Sequence, residues 1–312
     1  MPRTRILHDD TRVLVTGASG FIGTRSIHHL LSAGYEVHPW YHGRPSAPDP
    51  SGHAHFGDLL KEADQIRVLR ESNPAHLLHL AWYAVPGKFW SSPENLLWSA
   101  ASLQLLLHFA QGEGERCLVA GTCAEYEWQP ETLCKETETP IRPRSLYGIC
   151  KNSVREIISV AASQLKIQVA WGRIFFVYGP HEAGERFVPS VVCPLLQDQV
   201  SLCTEGKQMR DFMHVDDVAR AFVTVLESGA TGAVNIASGT PVSLNQIATT
   251  IADQLGKRHL LKLGGIETRA DDPLKLVANT SRLNGFGFKP RFDLDSGLAD
   301  TIAWWRNKII SR

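Results

Sequence analysis

A chain of 312 residues is about twice a typical domain and long enough to bury most of its apolar surface. Its 32 basic and 32 acidic residues cancel, so it lacks the cationic excess that marks a nucleic-acid or anionic-membrane partner. With 43% hydrophobic and 21% charged residues, and no run of about 20 apolar residues, the composition predicts a soluble globular chain without a membrane span.

The first ten residues are polar and lack the apolar centre of a signal peptide. Strand Arg12–Thr16 leads into a helix over Phe21–Ala33 that ends at Gly34. Strand Glu36–Tyr41 follows, with Pro39 suggesting an irregular end, and then a Gly/Pro/Ser-rich loop from Gly43 to Gly52. Next come helix Leu59–Ser72, strand His76–Ala81, helix Pro93–Ala110, strand Arg116–Gly121, helix Ser145–Gln164 and strand Gln168–Phe175. This alternation predicts βαβ units on a doubly wound parallel sheet of Rossmann type. After Gly179 the rhythm changes. Loops carrying Pro180, Pro189 and Pro194 precede a helix starting at Val215–Asp217, a helix near Leu244–Leu255, a loop at Ala270–Pro273 and a final helix near Asp295–Lys308. We expect a dinucleotide-binding domain over residues 1–178 and a smaller, mainly substrate-binding lobe over 179–312, with some segments returning to the first. None of the six cysteines lies in a CxxC pair, so reduced thiols in a cytoplasmic protein are expected, and no metal site.

The strand-to-helix turn reads Gly17-Ala18-Ser19-Gly20-Phe21-Ile22-Gly23. Gly17 permits the tight turn, Gly20 lets backbone approach a pyrophosphate, and Gly23 lets helix and strand pack closely. Free N–H groups at the helix start favour the anion. The residues expected near the adenosine ribose are Trp40-Tyr41-His42-Gly43-Arg44. No acid stands there, and His42 and Arg44 could pair with a 2′-phosphate, which favours NADP(H) over NAD(H). As plain solvated loop residues they would fit NAD(H) equally. Asp58 and Leu59 follow at the expected adenine position, by analogy.

Tyr147-Gly148-Ile149-Cys150-Lys151 sets a phenol and an ammonium four apart, on one helix face. A phenol with a pKa of about 10 needs a nearby cation to exchange protons at neutral pH. Thr122, at the end of a strand, can hold the same substrate oxygen.

Together these segments resemble the extended short-chain dehydrogenase/reductases, specifically the NAD(P)-dependent nucleotide-sugar epimerase/dehydratase family. The similarity rests on Thr16–Gly23, Gly57–Leu59, His79–Trp82, Ala120–Tyr126, Tyr147–Lys151, Arg173–Pro180, Arg210–Ala219, Asn235–Gly239 and Arg269–Pro273. It implies a catalytic Thr122, Tyr147 and Lys151, with Lys151 on the nicotinamide ribose. It implies that Leu80 and Ala81 line the cofactor cleft, and that Phe175 and Val177 flank the nicotinamide. Phe187 and Pro189 would border the substrate, and Arg210 and Arg269 would clasp the pyrophosphate of a nucleoside-diphosphate sugar. Surface salt bridges with Asp211 or Asp271 are the plainer reading of the arginines. A homodimer through the two helices over 93–110 and 145–164 is also implied. The leucine stripe on the first of these is equally explained by its own sheet.

Two features depart from the family. Dehydratases carry an Asp–Glu pair after the threonine, whereas here Cys123-Ala124 follows, with Glu125 one position too far and expected on the other face. The aromatic segment from Trp82 and Tyr83 through Phe89 to Trp90 either shapes a sugar pocket or forms a core or subunit contact. His181 reads as a solvated loop residue. The functional readings are a 4-ketoreductase of a nucleoside-diphospho-4-keto-6-deoxyhexose using NADPH, a 4-epimerase with tightly held NAD, and a dinucleotide sensor without catalysis.

Overall fold

A computed structural model describes residues 10–44, 48–128, 133–268 and 272–311. The first half alternates as its apolar runs predict. It contains β1 (Arg12–Thr16), α1 (Phe21–Ser32), β2 (Glu36–Tyr41), β3 (His55–Phe56), α2 (Glu62–Ser72), β4 (His76–His79), α3 (Glu94–Gln111), β5 (Arg116–Thr122), α4 (Leu146–Leu165) and β6 (Gln168–Ile174). The second half adds β7 (Phe176–Tyr178), α5 (Phe187–Leu196), β8 (Ser201–Leu202), β9 (Met209–His214), α6 (Val215–Glu227) and β10 (Gly232–Ile236). It ends with β11 (Pro241–Ser243), α7 (Leu244–Gln254), β12 (Leu261–Lys262), β13 (Lys275–Leu276), α8 (Ser281–Gly285) and α9 (Leu294–Ile310).

Seven parallel strands make one sheet in the order β10-β6-β5-β4-β1-β2-β3. Every residue of β4 and β5 is buried, as helices on both faces require. Alternate side chains of β1 enter opposite cores. Val13 and Val15 join Ile27 and Leu30 of α1 and Phe222 of α6. Leu14 joins Val68 of α2, Leu105 of α3 and Val154 of α4. The chain winds outward from β1 to β3, then returns to place β4 on the other side of β1. That reversal opens a crevice beyond the C-terminal ends of β1 and β4, where sheets of this type bind ligands.

β9 centres a smaller sheet, antiparallel to β11 and parallel to β13 and β7. α5, α7 and α9 enclose a third apolar cluster through Val191, Ile251 and Ile302. β8 and β12 form a short parallel pair. β10 rejoins the large sheet beside β6, and α6 packs on α1.

The sequence expectation differs in four places. Pro189 and Pro194 lie inside α5 rather than in loops. Pro189 is the third residue of that helix, where no intrahelical N–H bond is lost, and Pro194 lies in its last turn. β2 runs straight through Pro39, because β3 pairs only with Trp40 and Tyr41 and leaves an open edge there. α2 starts at Glu62 instead of Leu59, since Asp58 closes a turn by accepting from Leu60 N (3.0 Å). β4 stops at His79, and Ala81 N turns to donate to Thr16 Oγ1 (3.2 Å).

α3 and α4 pack side by side. α3 buries Leu106 but leaves Leu96, Leu97 and Leu107 exposed, and α4 exposes Ile149, Ile157 and Val160. Among the described residues no helix is long and apolar enough to cross a membrane. All six cysteines are free thiols.

Candidate active site

The turn after β1 is shaped by contacts that only glycine allows. Gly17 has φ +69°, and a β-carbon there would sit 2.8 Å from Ala81 N. A β-carbon on Gly23 would meet Gly17 O at 2.1 Å, so α1 could not pack where it does. Gly20 N donates back to Gly17 O (2.9 Å). Ser19 and Gly20 are exposed and Phe21 and Ile22 half-buried. Gly20 caps α1 with no side-chain hydrogen bond, and no acid stands in the first turn. The helix start therefore offers unmatched N–H donors, which suit a dinucleotide pyrophosphate. A buried line of polar groups fixes this turn to β4. Thr16 Oγ1 lies 2.7 Å from His79 Nδ1, and His79 Nε2 lies 2.9 Å from Ser102 Oγ. Burial, helped by the Lys151 charge, pushes His79 down to about 3, so the ring is neutral.

At the far end of β2, Trp40 Nε1 donates to Gly57 O (3.1 Å) and Tyr41 OH to Asp49 Oδ1 (3.1 Å). His42 and Arg44 are exposed just beyond. His42 Nδ1 stands 3.9 Å from Asp58 Oδ1, and Leu59 is buried behind it. The basic loop and the acid assigned to the adenine thus share one corner.

β5 ends at Thr122, and Cys123–Glu125 make one 3₁₀ turn. Thr122 and Glu125 form a capping box: Ala124 N donates to Thr122 Oγ1 (3.2 Å) and Thr122 N to Glu125 Oε1 (2.8 Å). Glu125 is fully buried, and it also accepts from Trp171 Nε1 (2.8 Å) and Arg173 Nε (2.8 Å). This corrects the expectation that Glu125 turns to the other face of an extended strand. Gly121 makes the arrangement possible, because a β-carbon there would lie 2.0 Å from Trp171 Nε1. The Cys123 thiol is pushed above its usual value by burial and stays neutral.

α4 starts at its N-cap Ser145, whose hydroxyl accepts from Gly148 N (3.1 Å). Gly148 lets the helix sit against the 3₁₀ turn, since a β-carbon would be 2.6 Å from Ala124 O. Tyr147 is thereby brought to the end of β5, with Thr122 acting on its phenol. Burial pushes the phenol above its ordinary value, while Thr122 pulls the other way. One turn on, Lys151 Nζ donates to Ala120 O (2.8 Å). Burial pushes Lys151 down to about 7, against the opposing pull of Glu125.

The aromatic segment closes over this pair. Trp82, Phe89 and Trp90 meet the Tyr147 ring edge-on, with centroids at 6.5, 4.9 and 5.9 Å. The Lys151 ammonium lies 3.7 Å from the Trp82 ring centroid. Buried Asn95 pins the segment: it accepts from Trp82 Nε1 (2.9 Å) and donates to Phe89 O (2.7 Å). Tyr83 is half-buried beside it. Arg186 lies over the Phe89 ring at 5.3 Å. None of Asn95, Glu125, Trp171 or Arg173 stood out as a site residue in the sequence.

The remaining candidates are spread wider. Leu80 and Ala81 sit against Gly17. Phe175 packs in a cluster with Cys123 and Tyr126, and Val177 is half-buried against the β1 core. Phe187 begins α5 and packs on Phe212 at 6.2 Å, while Pro189 is buried in the same helix. His181 is exposed in the turn after β7, as expected, and its ring packs 4.7 Å from that of Trp304. Arg210 is nearly buried, ion-paired with Asp272, and donates to Met209 O (2.9 Å). Its expected partner Asp211 instead accepts from Ser238 N, Gly239 N and Ala278 N. Arg269 and Asp271 lie outside the described residues.

A glycine cradle at the sheet's switch point, with a Thr–Tyr pair and a lysine beside it, defines a dinucleotide-binding protein of the short-chain dehydrogenase type. The chain matches the NAD dependent epimerase/dehydratase family over residues 13–237 and belongs to it. It is 26% identical to UDP-glucuronic acid decarboxylase 1 of Xenopus tropicalis, over 96% of this chain and 73% of that one. It is 27% identical to the dTDP-6-deoxy-L-talose 4-dehydrogenase (NAD(+)) of Aggregatibacter actinomycetemcomitans, over 80% of this chain and 92% of that one. Its fold superposes on the Thermus thermophilus UDP-glucose 4-epimerase solved with NAD, with a TM-score of 0.81 and 26% identity. That match covers 95% of this chain and 99% of the epimerase.

Two outcomes follow from the buried charges. Glu125→Ala leaves Arg173 buried without its counter-charge, so urea denaturation should show a loss of about 3–5 kcal/mol; a loss under about 1 kcal/mol would contradict the role of Glu125 as an anchor. Between the depressed value of about 7 and the ordinary 10.5, the unfolded chain holds a Lys151 proton that the folded chain has released. Cofactor-free wild type should therefore gain stability relative to Lys151→Met as pH rises from 7, and a pH-independent gap between the two proteins would rule this out.

Proposed function

We propose that this chain reduces the C4 ketone of a nucleoside-diphospho-4-keto-6-deoxyhexose, using NADPH. The observation that carries the reading is Tyr147 set beside Thr122 at the end of β5, one helical turn from Lys151, with Cys123-Ala124 where an elimination pair would stand. A bound nicotinamide dinucleotide supplies the hydride. Gly17, Ser19, Gly20 and the start of α1 hold its pyrophosphate, and Leu80, Ala81, Phe175 and Val177 line its cleft. Tyr147 gives its proton to the oxygen that becomes the C4 hydroxyl, and Thr122 Oγ1 orients that oxygen. Burial keeps the phenol protonated, which is the form a ketone reduction consumes. Lys151, as a cation, steadies the phenolate left behind. Its contact with the Trp82 ring means that the indole turns aside when Lys151 reaches a ribose hydroxyl.

Glu125 is committed to structure rather than to elimination, because three donors hold it, the Arg173 guanidinium among them. Cys123 is a neutral thiol and Ala124 carries no proton. This supports simple oxidoreduction over dehydration. The 4-dehydrogenase named above supports chemistry at C4 of a nucleotide-linked deoxysugar. Exposed His42 and Arg44 support a 2′-phosphate, and elements outside the large sheet, with Arg210 and Arg269, supply the nucleotide-sugar side. Arg210 reaches a pyrophosphate by exchanging Asp272 for it. The NAD-bound epimerase neighbour favours a second reading, a 4-epimerase that retains NAD and uses the same three residues. Free thiols support a cytoplasmic location.

The deciding assay follows NADPH absorbance with a panel of 4-keto-6-deoxy nucleotide-sugars. Consumption should occur, and Tyr147→Phe should cut kcat about 10²–10⁴-fold while NADPH affinity stays within a few-fold. No oxidation of NADPH with any of them removes the reductase reading, and turnover without added cofactor establishes the epimerase. Catalysis unchanged in Tyr147→Phe leaves only a sensor.

The exposed apolar faces of α3 and α4 support a homodimer built as a four-helix bundle. Light scattering should find a dimer in the wild type and a monomer in Val160→Glu; a wild-type monomer refutes the bundle.

A further inference from the structure

Away from the crevice, on the outer edge of the large sheet, five side chains form a group that the proposed reaction does not use. Glu36 and His38 are two apart on β2 and share a face. His53 stands just before β3, His55 within it, and Glu71 near the end of α2. His38 Nε2 is 3.0 Å from Glu36 Oε1, and His38 Nδ1 is 3.1 Å from His55 Nε2. His55 Nδ1 is 3.3 Å from Glu71 Oε2. The His38 and His53 rings are 5.0 Å apart and tilted by only 31°. One ligand atom from each of Glu36, His38 and His53 lies within 4.8 Å of the other two.

We propose that Glu36, His38 and His53 bind a divalent transition-metal ion of the zinc class, with water at a fourth position. Two imidazoles and a carboxylate are the donor set such ions prefer. Ligand distances of about 2.0–2.1 Å put tetrahedral neighbours about 3.3 Å apart, close to the His38–Glu36 separation. His53 is exposed and precedes a two-residue strand, so it can close the remaining 1–1.5 Å or so that tetrahedral spacing asks of it.

The hydrogen bonds give a second, separate argument. A carboxylate only accepts, so without an ion Nε2 of His38 and Nδ1 of His55 must both carry protons. A further proton must lie between the two rings. Three protons on two imidazoles make one of them a cation. An ion at His38 Nε2 removes that demand. His38 Nδ1–H then donates to His55 Nε2, His55 Nδ1–H donates to Glu71, and both rings are neutral. This is the outer-shell arrangement that fixes the tautomer of a ligating histidine. The ion would tie β2 to the segment that enters β3, and so hold the loop between them.

The test uses the untagged full chain, stripped with a chelator, then titrated with Zn²⁺ in competition with a chromophoric chelator. One equivalent should bind, with at least about tenfold weaker binding in Glu36→Gln and in His53→Ala, and about tenfold weaker in Glu71→Gln. Both first-named side chains are exposed, so these variants fold, which circular dichroism and dinucleotide binding confirm. The ion should raise the wild-type Tm, since it binds only the folded edge. Co²⁺ in place of Zn²⁺ should give tetrahedral visible bands with no sulfur charge-transfer. Absence of micromolar binding, equal binding by Glu36→Gln and His53→Ala, or a sulfur band from a cysteine each overturns the assignment.

Discussion

Glu125 brings a carboxylate to a point where none of its surface meets solvent, and three donors from two strands converge on it. A charge so placed is tolerable only if every donor stays in position, because losing one exposes the others to an unmatched pole. The backbone of Thr122 is one of those donors. The hydroxyl of Thr122 is therefore aimed by a bond to its own N–H, and the rest of the crevice is built outward from that fixed point. Gly121 and Gly148 serve the same end from two sides. One lets the Trp171 indole reach the carboxylate, and the other lets α4 carry Tyr147 up to Thr122.

Lys151 and Tyr147 are then held in an environment hostile to charge. Burial moves the amine down and the phenol up, so in the isolated protein both are shifted towards their neutral forms. Trp82, Phe89 and Trp90 create much of that environment, and Asn95 keeps them there through bonds to a side chain and a backbone carbonyl. A ring face over the ammonium is the one part of this cover that favours the cation. A ligand that displaces the indole and brings its own hydroxyls and charge would reset both groups together. The aromatic segment is thus coupled by contact to the charge states of Tyr147 and Lys151.

The glycine turn and the Tyr147–Lys151 pair were legible because each is a local pattern, complete within eight residues. The succession of strands and helices in the first half was legible for the same reason, as long apolar runs alternated with helical ones. Glu125 was misread because side-chain alternation was extended past the end of β5, where the chain has already turned into a 3₁₀ helix. The Thr-x-x-Glu spacing of a capping box was the signal that could have found it. Asp272 beside Arg210, and Trp171 and Arg173 beside Glu125, come from 46 to 62 residues away, and nothing local marks such pairs. α5 was hidden by prolines that happen to occupy its first and last turns, and β8, β12 and β13 are two residues each, too short for any period to show.

The β2 side of the crevice rests on the shortest pairing of the large sheet. β3 contributes only two residues, so its pairing with β2 cannot by itself place the loop between them. Side chains do that instead. Trp40 reaches Gly57, Tyr41 reaches Asp49, and His38, His55 and Glu71 link the strands to α2. A short edge protected by histidines and carboxylates is also a poor template for another chain's strand. The same shortness makes the edge sensitive to whatever occupies those side chains. His42 stands one residue beyond β2, so a group that tightens His38 against His53 acts on the strand that leads to His42. His42, just past the end of β2, is in this way joined through four residues of one strand to the histidine–carboxylate group at the sheet's edge.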